Sequence, residues 1–138
     1  MNTPSVLYPA PARSEINAPM LDAWAKGELH LQRCGECDHK VYFPRTQCPN
    51  CWSTRLEWTR LTGKGKIISF AKVHKHVHAS FAMESPTILA EILLEEGWSI
   101  LARVVAANVD DITSGMRIGL VSGERASQFP LPTFSPRD

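Results

Sequence analysis

The sequence predicts a mainly β protein built from a short N-terminal helix, a small cysteine-stapled ribbon and a β-barrel of about five strands. Three observations lead there. All four cysteines of the 138-residue chain stand at Cys34, Cys37, Cys48 and Cys51, as two CxxC pairs with ten residues between them. After Gly63, apolar residues recur with a period of two or in short runs, separated by Gly, Asn and Asp turn signals. Upstream, one stretch, Asn17 to Gly27, carries both a start and a stop signal for a helix.

Residues 1–28 read as an arm and a short helix. Pro4, Pro9 and Pro11 among small and polar residues predict an extended arm. Asn17 precedes Pro19 in a first helical turn, and Met20, Leu21 and Trp24 follow before Gly27 ends the run. Met20 and Trp24 share a face. A helix this short is marginal alone, so that face is expected to dock on the downstream domain.

Residues 29–61 read as a ribbon. Short strands are expected at Leu29 to Gln32, Val41 to Phe43 and Leu56 to Leu61. Two residues between paired thiolates let both sulfurs reach one ion from a tight turn, and two such knuckles complete a tetrahedral shell. Cys34, Cys37, Cys48 and Cys51 are therefore the predicted ligands of a structural Zn2+. Iron in a rubredoxin-like site would accept the same set, whereas a redox CxxC would not need the second pair. A segment this small cannot bury a core of its own, and metal binding substitutes for hydrophobic area. Tyr42, Phe43, Arg45, Trp52 and Arg55 are expected to pack on a neighbouring module, the other use of such residues being nucleic-acid contact.

Residues 62–138 read as a small Greek-key barrel of the OB type. Ile67, Ala71, Val73 and Val77 alternate with Lys72, His74, His76 and His78, predicting a long first strand with one buried and one cationic face. Thr87 to Leu94 and Trp98 to Val105 form a hairpin around Glu95, Glu96 and Gly97. Further strands are expected at Ile118 to Val121 and near Leu131 to Phe134, after a long turn from Asn108 to Gly115.

The composition excludes several functional classes. A hydrophobic fraction of 43% without a long apolar run leaves no membrane span. Residues 1–13 lack the pattern of a secretory signal, and thiolate metal sites suit a reducing compartment, so a cytoplasmic location is expected. The formal net charge of +1 falls close to neutral once four thiolates hold a divalent ion, which argues against bulk attraction to nucleic acid. Charge is nevertheless uneven, because no Asp or Glu occurs from Thr59 to Met83 while Arg60, Lys64, Lys66, Lys72 and Lys75 do.

That basic stretch supplies candidate ligand contacts. An anionic ligand needs Lys or Arg, and any apolar arm it carries needs an apolar channel. Lys64, Lys66, Lys72 and His74 fit the first need if they share a face, and a solvated strand face is the other reading. Arg103 is a further candidate that equally suits pairing with Glu91 across the hairpin. His74, His76 and His78 alternate and so suit a second metal, although no carboxylate lies near them in sequence. No catalytic triad order, nucleophile elbow, phosphate loop or dinucleotide fingerprint is present.

An ordered set of short motifs resembles a known family. It comprises Gly27-Glu28-Leu29, Gln32-Arg33-Cys34, Cys37, Phe43-Pro44-Arg45, Cys48-Pro49 and Cys51, then Gly63-Lys64-Gly65, Gly115-Met116 and Leu131-Pro132-Thr133-Phe134. The set is similar to the zinc-ribbon plus OB-fold proteins of acyl-CoA metabolism, long filed as a domain of unknown function, and it covers the chain from about Pro19. The resemblance implies a non-catalytic accessory subunit of a thiolase-superfamily complex acting on acyl-CoA thioesters as β-ketothiolase, acyltransferase or retro-aldolase. The partner would be a thiolase-like chain holding the nucleophile, and the OB-fold chain would support assembly and help to hold the CoA thioester, whose 3′-phospho-ADP end Lys64, Lys66, Lys72, His74 and Arg103 are the candidates to contact. The histidine run matches no motif of the family. The alternative reading is a nucleic-acid-binding module, which rests on architecture alone. Accessory status also predicts that the proline-rich arm, the helix and the tail with Phe129, Leu131 and Phe134 leave apolar surface exposed in the isolated chain.

Overall fold

Gly27 takes a left-handed φ of 80° and ends helix α1, Ala18–Ala25. Its N–H donates to the Trp24 carbonyl at 2.8 Å and that of Glu28 to the Ala23 carbonyl at 2.9 Å, the paired bonds of a Schellman motif. At the other end Asn17 occupies the cap position, but its side chain makes no cap bond. Its amide instead donates to the Ala12 carbonyl and accepts from the Ser14 N–H, both at 2.9 Å, fastening the incoming chain. These features come from a computed structural model that describes residues 11–74, 87–122, 126 and 128–137.

Three antiparallel strands follow in the order β2-β1-β3: β1 Leu29–Cys34, β2 Lys40–Val41 and β3 Leu56–Leu61. Strand β1 runs two residues beyond the expected end, because Cys34 pairs with Leu56 in the β1–β3 ladder. The other five strands are β4 Lys64–Val73, β5 Thr87–Leu94, β6 Ser99–Val104, β7 Arg117–Leu120 and β8 Thr133–Pro136. They close a barrel in the order β4-β5-β6-β8-β7, with β6 and β8 parallel and the remaining pairs antiparallel. This is the five-stranded Greek-key arrangement of the OB fold, as expected.

Ile67, Ile88, Ile92, Leu94, Ile100, Ile118 and Phe134 fill the barrel, and the same buried cluster takes in Met20 of α1 and Leu29 and Leu31 of β1. Helix and ribbon therefore share one core with the barrel. Trp24 is buried beside Val121, Ala126 and Phe129, and its Nε1 donates to the Phe129 carbonyl at 2.9 Å. The helix thus docks on its own barrel, and Phe129 and Phe134 are buried rather than exposed. That corrects the expectation of an apolar helix and tail left open. The exposed large apolar side chains lie elsewhere, among them Trp52 at the ribbon tip and Leu89 and Leu101 outside the barrel.

A register shift between Ile67 and Ser69 changes which side chains of β4 face out. Before it, Gly65 and Ile67 are buried while Lys64 and Lys66 are exposed. After it, Phe70 pairs with buried Ala90 and Lys72 with buried Ile88, whereas Ala71 pairs with exposed Leu89. The bulge therefore overturns the expected alternation: Ala71 faces solvent, and Lys72 lies on the opposite side of the strand from Lys64 and Lys66. Lys75, Val77, His76 and His78 lie outside the described residues.

Gly65 is fixed by close approach. A Cβ there would stand 2.5 Å from the Leu93 carbonyl oxygen, a backbone atom of the paired strand that has no room to yield.

Candidate metal centre and cation row

The two CxxC turns repeat one hydrogen-bond pattern. In the first, the Asp38 N–H donates to the Cys34 carbonyl at 3.1 Å and the Cys34 N–H to the His39 carbonyl at 2.9 Å. In the second, the Trp52 N–H donates to the Cys48 carbonyl and the Cys48 N–H to the Ser53 carbonyl, both at 2.8 Å. The residue after the second cysteine is left-handed in both, Asp38 at φ 63° and Trp52 at φ 67°. Asp tolerates that conformation well, but Trp does not. Trp52 is nevertheless 74% exposed.

Backbone amides turn toward the sulfurs. The N–H groups of Glu36 and Cys37 point at Cys34 Sγ at 3.4 Å, that of Asn50 points at Cys48 Sγ at 3.3 Å, and Asn50 Nδ2 reaches Cys37 Sγ at 3.4 Å. All four sulfurs lie within 4.8 Å of one another, with Cys34 to Cys51 and Cys37 to Cys48 each at 3.6 Å. A tetrahedral zinc thiolate site with Zn–S bonds of about 2.3 Å has sulfur–sulfur edges of about 3.8 Å. The four residues fit such an ion, and the spacing is far too long for disulfides. Among the described residues no other group of three or more His, Cys, Asp or Glu converges.

The thiols themselves favour a cation. The Asn50 amide holds Cys37 down to about 6, and the Cys37 N–H does most to lower Cys34. At Cys51 the Ser53 N–H favours the thiolate, but desolvation and the neighbouring thiols outweigh it and push the group up to about 12. Alone, the quartet resists losing its last proton; a divalent cation removes that resistance.

Gln32 braces the centre. Its side chain donates to the Arg45 carbonyl at 3.1 Å and accepts from the Arg45 N–H at 2.8 Å, tying β1 to the loop that leads into the second knuckle. Arg33 bonds both Asp38 and Glu57, and its guanidinium keeps the Asp38 carboxyl below the usual carboxylate range. Of the ribbon residues expected to pack on a neighbouring module, Tyr42 does pack against the core, and Trp58 of β3 joins it there. Phe43 and Trp52 do not, and remain exposed.

The five cationic candidates for CoA contact are not brought together. Lys72 pairs with Asp110 at 3.0 Å on its side of the bulge. His74 lies just past the end of β4. Arg103 stands opposite Leu89, with its guanidinium 5.3 Å from the Phe129 ring centre, while Leu101 is the residue opposite Glu91. The Glu91 carboxylate accepts from Ser99 at 3.1 Å and meets Ser69 at 3.5 Å. Only Lys64 and Lys66 share a surface, and two residues that sequence reasoning missed join them. Arg117 is the direct cross-strand partner of Lys66, and the Arg137 N–H bonds the Arg117 carbonyl at 3.1 Å. The charge census by sequence window did not reveal this, because the pairing of β4, β7 and β8 spans most of the barrel.

Comparison with known families agrees with this geometry. Residues 21–57 match the rubredoxin-like zinc ribbon domain of ChsH2, and residues 58–122 match its C-terminal OB-fold domain. The solved structure described as an Ltp2-ChsH2(DUF35) aldolase superposes with a TM-score of 0.74 at 30% identity, over 91% of this chain and 98% of that one. The chain belongs to the ChsH2 (DUF35) family. Another relative of this ChsH2-like chain is a DUF35 domain-containing scaffold protein of Methanocaldococcus jannaschii, 37% identical over 64% of the chain and 63% of the relative. A probable enoyl-CoA hydratase alpha subunit of Thermomonospora curvata is 31% identical over 96% of the chain but only 41% of its own length. The benzoylsuccinyl-CoA thiolase subunit BbsA of Geobacter metallireducens is 28% identical over 75% of the chain and 66% of that subunit. The chain thus spans less than two thirds of the first two of these curated relatives. No helix among the described residues is long and apolar enough to cross a membrane.

Proposed function

We propose that the chain is a non-catalytic accessory subunit of a thiolase-superfamily complex acting on acyl-CoA thioesters, with Zn2+ held by Cys34, Cys37, Cys48 and Cys51 as a structural ion. The observation that carries the reading is the joint match of ribbon and barrel to one family whose relatives are described as a scaffold protein, a thiolase subunit and a component of an aldolase. Four thiolates close a tetrahedral shell, so an ion held there has no open position at which to activate water or polarise a carbonyl. Its contribution is to fold the ribbon, and through the shared core to orient ribbon and barrel as one surface for a partner.

In this reading the thiolase-like partner supplies the nucleophile and the acid–base groups. CoA contact from this chain falls to the face carrying Lys64 and Lys66, since Lys72, His74 and Arg103 stand apart from it. Single-strand nucleic-acid binding is less well supported, because Phe70, in the cationic strand itself, packs against the core instead of offering a stacking face. The test compares the zinc-loaded chain, its co-purified partner and the two recombined, assayed for thioester condensation and cleavage. Activity that needs the partner and rises on recombination supports the reading; turnover by this chain alone contradicts it.

A further inference from the structure

Three adjacent strands carry a row of cations on the outside of the barrel. Lys66 in β4 stands directly opposite Arg117 in β7, and the backbone bond from Arg137 to Arg117 continues the row past the end of β8. Lys64 lies one pleat along the same face, opposite Gly119. Gly119 has no side chain to obstruct Arg137: a Cβ there would meet Arg137 Cδ at 3.2 Å. The guanidinium is fixed over that space by a bond from Nε to the Ile118 carbonyl at 3.0 Å, with Glu95 3.6 Å from its Nη2.

Like charges placed directly opposite each other destabilise a strand pair. Here Lys64, Lys66 and Arg117 have no carboxylate partner among the described residues, while Glu95 faces Arg137. Beside them lies a cavity of about 340 Å3 lined by Gly65, Lys66, Leu93, Glu95, Arg117 and Arg137. A floor of backbone and leucine under a fork of cations suits an anion attached to a less polar body.

We propose that Lys66, Arg117 and Arg137, with Lys64 at the margin, form a binding site for a multiply charged phosphate ester. The proposal deepens the proposed function, on which it rests for the identity of the natural ligand, the phosphorylated nucleotide end of a CoA thioester. The geometry of the row stands without that identity. Arg117 and Arg137 are then specificity residues for the phosphate, with Arg137 held in advance by Ile118 and Glu95.

The test is calorimetric titration of the full zinc-loaded chain at low salt with adenosine 3′,5′-bisphosphate, with inorganic phosphate in a parallel arm. The bisphosphate binds more tightly than phosphate, and its affinity falls as salt rises. Arg117→Gln and Lys66→Gln each weaken it about tenfold, the size of one charge-assisted hydrogen bond, while Lys26→Gln at the end of the helix leaves it unchanged. Because relief of like-charge crowding favours the fold, both variants melt no lower than the parent, which separates lost binding from lost structure. Unchanged affinity in the Lys66→Gln, Arg117→Gln double variant overturns the proposal. So does tighter retention of a single-stranded oligonucleotide than of the bisphosphate through the same residues. Either result leaves the accessory-subunit reading standing, since that is read from partner-dependent turnover.

Discussion

The indole N–H of Trp98 donates to the Gln32 carbonyl at 3.1 Å, joining the β5–β6 hairpin of the barrel to the strand that presents Cys34. Both residues are buried, and Lys40 lies 5.5 Å over the Trp98 ring from the ribbon side. One side chain therefore couples the metal ribbon to the barrel. Gln32→Ala removes the bracket on Arg45 and strands two backbone groups, so stability in urea is expected to drop by about 2 kcal/mol. Trp98→Phe is expected to cost at least about 1 kcal/mol through the lost bond. A parent-like midpoint for Trp98→Phe would remove this coupling from the account, and one for Gln32→Ala would remove the bracket on Arg45.

Gly65 and Gly27 give an ordered pair. Gly65→Ala drives a Cβ into the Leu93 carbonyl, whereas Gly27→Ala meets nothing within 4 Å and bears only the left-handed φ. The expected loss is about 1 kcal/mol at Gly27 and at least about 2 kcal/mol at Gly65, where backbone must move. Thermal melts of the two zinc-loaded variants check the order, and a milder effect at Gly65 would refute it.

Desolvation pushes the Tyr42 phenol up to about 12 from an ordinary value of about 10. The fold holds the neutral form, so this contribution to stability is complete below pH about 10 and is lost as pH rises through about 12. The chain has two tyrosines, and Tyr8→Phe leaves Tyr42 as the one reporter. Its phenolate absorbance is expected to rise near pH 12, together with loss of the folded circular dichroism signal. A rise near pH 10 while the chain stays folded would show the phenol to be solvated.

Chelation tests the ion. A four-thiolate zinc site contributes on the order of 10–16 kcal/mol to folding in small peptides. Metal analysis should give one zinc per chain, and removing it should unfold the ribbon together with α1 and part of the barrel core, because Met20, Leu29 and Leu31 are packed into both. Cys37→Ser should lose the ion and the soluble complex. A Cys37→Ser chain that keeps its zinc, its fold and its partner would rule out the structural role.

Much of this was legible in the sequence. The CxxC spacing foretold the sulfur cluster because the chemistry of a knuckle is local. The helix signals worked for the same reason, although Asn17 turned out to bind the arm rather than cap the helix. The barrel strands were visible as apolar runs. What sequence periodicity missed was non-local. The slip after Ile67 sends Lys72 to the other side of the strand from Lys66, and no period-two reading marks such a slip in advance. Arg117 and Arg137 gain their place through cross-strand register, and Phe129 and Phe134 become buried by packing against Trp24 and the barrel.

The most direct test of the central claim is affinity capture of the tagged chain from its native cells, with bound proteins identified by mass spectrometry and the eluate assayed on CoA thioesters. The account predicts a thiolase-like chain in stoichiometric amount, with condensation or cleavage activity that this chain lacks by itself. Recovery of nucleic acid without such a chain, or thioester turnover by this chain purified to homogeneity, would contradict it.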